Sequence, residues 1–259
     1  MTRFSRETLQ RIQRASELIT QSQRVVVLTG AGISTPSGIP DFRSPGTGLW
    51  TRFVPMEVAS LSAFRYDPEQ FYKWFHPLAI HIISAKPNPA HVALAKMQAS
   101  GRISTIITQN IDGLHTRSGV KDVIEVHGTL NTLTCTECFR QVSSARIIQA
   151  YIDHCAIPHC QECGGILKPD VILYEEQLPV KAWSQAEAAS KGCDLMLIVG
   201  TSLEVMPSAR LPILALEHEA KVVVINNAAT YIDVRAEVVI HANVADIIPR
   251  ICTLVLPPN

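Results

Sequence analysis

Two Cys-x-x-Cys pairs, Cys135-Thr-Glu-Cys138 and Cys160-Gln-Glu-Cys163, stand out in a chain of seven cysteines. Each pair lets one turn present two thiolates to the same ion. Two such turns close a tetrahedral four-sulfur site that suits Zn²⁺. With all four positions taken there is no place for water, so such a metal would be structural. Gly164-Gly165 after the last cysteine fits a knuckle turn. Cys155 and His159 are alternative ligands without the paired spacing. Free buried cysteines or a redox pair are the alternative chemistry. Cys193 and Cys252 read as core residues.

A second set of polar groups recurs at the ends of apolar runs. Gly30-Ala31-Gly32 follows Val25-Val26-Val27-Leu28-Thr29, the pattern of a buried strand leading into a phosphate-binding loop. Glycine lets such a loop bring its amides close to a pyrophosphate. The third glycine of the dinucleotide fingerprint is replaced by Thr35, and Asp41-Phe42-Arg43 is no dehydrogenase continuation. Thr108-Gln109-Asn110-Ile111-Asp112 ends the next run. Its amides could bind a ribose or a carboxamide, or could simply form an Asx-turn and helix cap. His127 ends another run beside Gly128. It is either a satisfied structural histidine or a general base near neutrality. Gly200-Thr201-Ser202 and Asn226-Asn227 again place small polar groups at strand ends, as ligands or as ordinary turns.

The elements that must position these groups are legible as apolar runs: Arg24–Leu28, Ser104–Thr108, Val123–Val126, Asp194–Val199, Lys221–Ile225 and Val238–Ala242. Helix-permissive segments such as Ala90–Gln98 and Val180–Ser190 separate several of them. This alternation predicts an α/β fold, a Rossmann-like parallel sheet with helices on both faces. Residues 45–87 are aromatic-rich and residues 130–168 hold the paired cysteines. Both read as insertions, a helical one and a zinc-ribbon module, that build a smaller second domain. The larger domain takes residues 1–44, 88–129 and 169–259. Leu9, Ile12, Leu18 and Ile19 predict an amphipathic N-terminal helix. The Pro257-Pro258 tail reads as frayed.

The 259 residues carry 47% apolar side chains and zero net charge. That balance gives no electrostatic basis for binding nucleic acid or an anionic membrane. No run approaches the ~20 apolar residues that span a bilayer. A cytoplasmic protein is the expectation.

The order of these motifs resembles the sirtuin family of NAD-dependent protein deacylases. The resemblance runs from Gly30-Ala31-Gly32-Ile33-Ser34 through Gly38-Ile39-Pro40-Asp41-Phe42-Arg43, Thr108–Asp112, His127-Gly128, the cysteine pairs and Gly200-Thr201-Ser202. It covers roughly residues 24–244 and implies a minimal bacterial or archaeal catalytic core. It implies that NAD lies across the strand ends of the large domain. Ala31, Thr35 and Arg43 would contact phosphates and ribose, with Gly30, Gly32 and Asp41 in the same loop. Phe42 would cover the reacting sugar carbon. Gln109, Asn110, Ile111 and Asp112 would form the nicotinamide-ribose pocket, with Asp112 on the carboxamide. Gly200, Thr201, Ser202, Asn226, Asn227 and Val244 would serve the adenosine side. In this family the acyl-lysine carbonyl oxygen attacks the ribose carbon and expels nicotinamide, giving an imidate. His127 matches the general base that lets the imidate collapse, and Asn110 is the second catalytic candidate. The implied products are free lysine, nicotinamide and O-acyl-ADP-ribose.

The resemblance also implies acyl-lysine proteins or peptides as partners. Lys168–Glu176 matches the family's substrate loop, where a peptide adds a strand by backbone pairing. Ile172 and Tyr174 would line the acyl-lysine tunnel beside Glu176, and Val205 with Glu204 would supply the second edge. Glu175 stands where the family usually has glycine. Members that prefer acidic acyl groups carry Tyr-x-x-Arg, but here Tyr72 is followed by Phe75. An acidic acyl group would therefore be buried unpaired, and uncharged groups are expected. The competing expectations are ADP-ribosyl transfer or NAD hydrolysis in the same pocket, a non-enzymatic NAD-sensing scaffold, and a dehydrogenase.

Overall fold

The computed structural model describes residues 4–44, 46 and 48–256. Pro257-Pro258 and Met1–Arg3 lie outside the described residues. Among the described residues nine strands form: β1 Val25–Thr29, β2 Thr105–Thr108, β3 Ile124–Glu125, β4 Gly128–Cys135, β5 Gln141–Ser143, β6 Leu167–Val171, β7 Leu195–Val199, β8 Lys221–Ile225 and β9 Val238–Ile240. The α-helices are α1 Arg6–Gln21, α2 Pro55–Val58, α3 Leu61–Tyr66, α4 Pro68–Ser84, α5 Pro89–Ala99, α6 Leu114–Arg117, α7 Ile148–His154, α8 Val180–Gly192, α9 Leu211–Glu217 and α10 Val244–Val255.

Six strands pair in parallel in the order β3-β2-β1-β7-β8-β9. All five residues of β1 and of β7 are buried, because helices cover both faces of the sheet. Alternation sorts their side chains. Val25, Val27, Leu195 and Leu197 pack with α1, α5 and α10, whereas Val26, Leu28, Met196 and Ile198 pack with α8 and α9. Ile12, Ala15, Leu18 and Ile19 are the buried apolar stripe of α1, and the Ser5 hydroxyl caps its start by accepting from Thr8 N–H.

From β1 the chain proceeds outward to β2 and β3, then returns to β7 and proceeds the other way to β8 and β9. The reversal opens a crevice at the carboxyl ends of β1 and β7, where open α/β sheets bind ligands.

The aromatic-rich stretch folds into α2, α3 and α4. Its Phe64, Phe71, Tyr72 and Phe75 form a core with Tyr151 of α7 and with Val171 and Leu173 beyond the cysteine segment. That segment contains an antiparallel sheet, β5-β4-β6, that the apolar runs did not announce. β4 is rich in threonine and its register shifts between Gly128 and Leu133, and β6 contains Pro169, which argues against a strand when read locally. β4 begins before residue 130 and β6 continues past residue 168.

Candidate active site

The carboxyl ends of β1, β2, β3 and β7 meet over the crevice, and hydrogen bonds lock them together. Asn110 is 9% exposed; its Nδ2 donates to the Gly30 carbonyl at 3.0 Å and to Ser34 Oγ at 3.1 Å. Ser34 Oγ in turn donates to Asp112 Oδ2 at 2.6 Å, and Leu114 N–H donates to Asp112 Oδ1 at 2.8 Å. Burial pushes the Asp112 carboxyl above its ordinary range, against the pull of those two bonds and of Arg117. Gln109 Nε2 reaches Thr201 Oγ1 at 3.1 Å and so ties β2 to β7.

His127 Nδ1 lies 2.9 Å from the Gln109 carbonyl. A carbonyl only accepts, so Nδ1 carries the proton and Nε2 keeps its lone pair. Burial lowers the His127 pKa, the Gln109 bond opposes that, and the Arg43 charge adds to the lowering. A neutral imidazole with one committed nitrogen is the form a general base needs.

Beneath this layer a network joins Thr29 to both ends of the polar loop that runs from Thr108 to His115. His115 Nε2 is 2.9 Å from Thr29 Oγ1, Thr29 Oγ1 donates to Thr108 Oγ1 at 2.8 Å, and Asn110 N–H donates to Thr108 Oγ1 at 3.1 Å. The His115 ring stands 4.9 Å from that of His91, and burial holds their pKa values near 3 and 4, so both are neutral. In the sequence His115 shares the polar loop that starts at Thr108, whereas its link to Thr29 has no local signal.

A cavity of about 750 Å³ opens above these groups. Ala31, Phe42, Arg43, Gln109, Asn110, Ile111, Asp112 and His127 line it. So do Ile172, Tyr174, Glu176 and Val205 from the expected substrate edges. The inner wall adds Trp50, Phe71, Trp74, Phe75, Leu78 and Ile82. Helical spacing in α4 could have shown that wall, since residues 71, 74, 75, 78 and 82 share one face. Tyr72 does not line the cavity; its hydroxyl donates to the Leu167 carbonyl. Among the described lining residues Arg43 is the only Lys or Arg side chain, and Glu204 pairs with it at 3.0 Å.

The remaining expected residues lie off this cavity. Asp41 accepts from Arg43 N–H, Ser44 N–H and Ser44 Oγ, which fastens its own loop. Thr35 Oγ1 donates to the Gly32 carbonyl at 3.1 Å. Thr201 is buried behind Gln109, Ser202 is half-buried beside it, and Asn226 Nδ2 donates to the Ala228 carbonyl at 2.8 Å. Asn227 is exposed at the end of β8, and Val244 is buried at the start of α10. Gly30 and Gly32 also pack against the loop that follows β7. Gly32 N–H donates to the Gly200 carbonyl at 2.8 Å, and Gly30 N–H faces the Val199 carbonyl at 3.4 Å. A Cβ at Gly30 would stand 2.6 Å from Thr201 Cβ, and one at Gly32 would stand 2.8 Å from the Gly200 oxygen. These glycines let the β1 and β7 loops interlock.

At the far end, the Sγ atoms of Cys135, Cys138, Cys160 and Cys163 all lie within 4.8 Å of one another. Such a cluster could hold one metal ion through four thiolates. The alternatives fall away. His159 Nδ1 donates to the Gly164 carbonyl at 3.0 Å, and Cys155 packs in the aromatic core.

A parallel sheet with a crevice at its reversal, polar strand ends and a separate four-cysteine module defines an α/β fold with an appendage that could hold a metal ion. Residues 30–207 match the Sir2 family model. The chain belongs to the Sir2 family. It is 40% identical over 236 residues to NAD-dependent protein deacylase 2 of Pyrobaculum aerophilum, covering 91% of this chain and 92% of that one. It is 41% identical to NAD-dependent protein deacetylase 1 of Geobacillus kaustophilus, over 86% and 89% of the two chains. A solved Sir2–p53 peptide–NAD+ complex superposes with a TM-score of 0.84 at 35% identity, covering 93% of this chain and 96% of that one. Among the described residues no helix is long and apolar enough to cross a membrane.

Proposed function

We propose that this chain is an NAD-dependent protein lysine deacylase that removes acetyl or other uncharged acyl groups. It would release nicotinamide, free lysine and O-acyl-ADP-ribose. The observation that carries this reading is His127. Its Nδ1 proton is committed to the Gln109 carbonyl, and the ring lines the same cavity as Asn110 and Asp112.

The residues fit NAD and an acyl-lysine. The wall at Phe42 and Ile111 is apolar and can shield a reacting sugar carbon from water. Buried Asp112 offers carboxylate oxygens to a carboxamide N–H. Asn110, held by Gly30 and Ser34, presents its remaining amide oxygen in a fixed direction. When bound, NAD would supply the electrophilic ribose carbon and the nicotinamide leaving group. His127 Nε2 then accepts a proton from a ribose hydroxyl. A peptide strand would pair along the 172–176 segment and around Glu204 and Val205, with Ile172 and Tyr174 around the lysine stem. The four-cysteine cluster would hold one structural Zn²⁺.

Acyl choice follows from the wall. Phe71, Trp74, Phe75 and Leu78 offer no positive charge to a carboxylate, and Arg43 already pairs with Glu204. The test is incubation with NAD and a panel of acyl-lysine peptides, followed by mass identification of the products. Acetyl, propionyl and butyryl peptides are expected to yield O-acyl-ADP-ribose and to outpace succinyl peptide. ADP-ribose attached to protein, free ADP-ribose alone, or faster desuccinylation would overturn the reading.

A further inference from the structure

Glu175 occupies a position where the backbone favours glycine, with φ +73°. Its exposed side chain lines the cavity and is tied to the helical insertion. Oε2 accepts from Ser62 N–H at 2.9 Å, in the first turn of α3. The flanking backbone makes the same junction. Tyr174 N–H donates to the Ala59 carbonyl at 2.9 Å, and Leu61 N–H donates to the Tyr174 carbonyl at 3.0 Å. Ser60 and Tyr174 thereby form a parallel bridge between segments more than a hundred residues apart. Ser60 Oγ takes Ala63 N–H at 3.0 Å, so the first three amides of α3 are all satisfied, two of them by residues 174 and 175. Arg65, one turn along α3, adds favourable charge to the Glu175 carboxylate.

The other side of the loop is held separately. Ile172 N–H donates to the His127 carbonyl at 2.8 Å, and Glu176 Oε2 accepts from Leu173 N–H and pairs with Lys168 Nζ. Glu175 thus adds a side-chain hydrogen bond between the segment that follows β6 and the helical insertion that forms the cavity's aromatic wall.

We propose that Glu175 is a positioning residue for peptide: its hydrogen bond to Ser62 holds the 172–176 edge in place for an incoming strand, and its charge does not select peptide sequence. The proposal rests on the deacylase reading above, which places the peptide on this edge. A left-handed glycine would keep the backbone bridge but lose the side-chain anchor on Ser62. Glutamate bears the conformational cost and gains an anchor.

The test compares wild type with Glu175→Gln, Glu175→Ala and Glu175→Gly on acetyl-lysine peptides with acidic, neutral and basic flanks. KM for peptide, KM for NAD and kcat are measured, with hydrogen exchange at the amides of residues 60–63. Gln keeps an oxygen for Ser62 N–H, so Glu175→Gln should match wild type within about twofold in peptide KM. Glu175→Ala and Glu175→Gly should raise peptide KM about fivefold, the scale of one hydrogen bond, equally for all three flanks. NAD KM and kcat should stay within about twofold, and exchange at Ser62 should accelerate in Ala and Gly but not in Gln. Unchanged peptide KM in Glu175→Ala, a Gln effect as large as the Ala effect, or a change that follows peptide charge would each overturn the proposal. The exchange arm needs no turnover, so an inactive wild type would sink the deacylase reading while still testing the Glu175–Ser62 tie.

Discussion

His127 shows how one side chain acquires a role from its surroundings. The Gln109 carbonyl selects the tautomer, and burial keeps the ring neutral below the ordinary histidine range near 6.5. A base works only when deprotonated. A lowered pKa therefore keeps it working to lower pH, and activity is lost as pH falls through that lowered value. The acid limb of kcat/KM should lie below pH ~6.5 in wild type. His127→Ala should cost on the order of 10²-fold in deacylation and should remove that limb. Near-unchanged turnover, or the same limb in the variant, would assign the proton transfer elsewhere. Asp112 shifts the opposite way for the same reason, since burial disfavours the charged form of either group.

At the scale of elements, the loops after β1 and β7 behave as one unit. Gly200 sits at φ +62° with its Cβ position 2.3 Å from Ile33 N, so Gly200→Ala meets both strain and a backbone clash. It should destabilise by about 3 kcal/mol and weaken NAD binding together with stability. Gly38 is the contrast. It has φ +87° but nothing within 4 Å of a Cβ, so Gly38→Ala should cost only about 1 kcal/mol. Chemical denaturation of the two variants measures the difference. Equal losses would show that φ alone, and not the interlocked loops, sets the cost.

At the scale of the molecule, the cysteine module and the parallel sheet have separate cores. Leu133, Cys135, Cys160 and Leu167 cluster apart from the residues that pack on β1 and β7. An ion held by the four clustered thiols would turn metal affinity into folding energy there. Metal analysis should find one zinc per chain. Chelation should raise hydrogen exchange across β4, β5 and β6 while β1, β7 and β8 stay protected. Full protection of the three small strands after verified zinc removal would show that the module stands without metal.

Much of this arrangement is legible in the sequence, because short-range chemistry is local. Each of the six parallel strands was expected within about two residues, since buried β-branched runs look alike in any context. The two Cys-x-x-Cys pairs were readable because a turn alone brings their sulfurs together. The tertiary structure decided what depends on neighbours distant in sequence. It assigned Gly30 and Gly32 to the Gly200 loop, set the His127 tautomer through Gln109, and linked Thr29 to His115. It also tied Glu175, which stands where the family usually has glycine, to Ser62. None of these contacts has a sequence period. Each exists because the chain crosses over the sheet and returns, and that path decides which polar groups meet out of water.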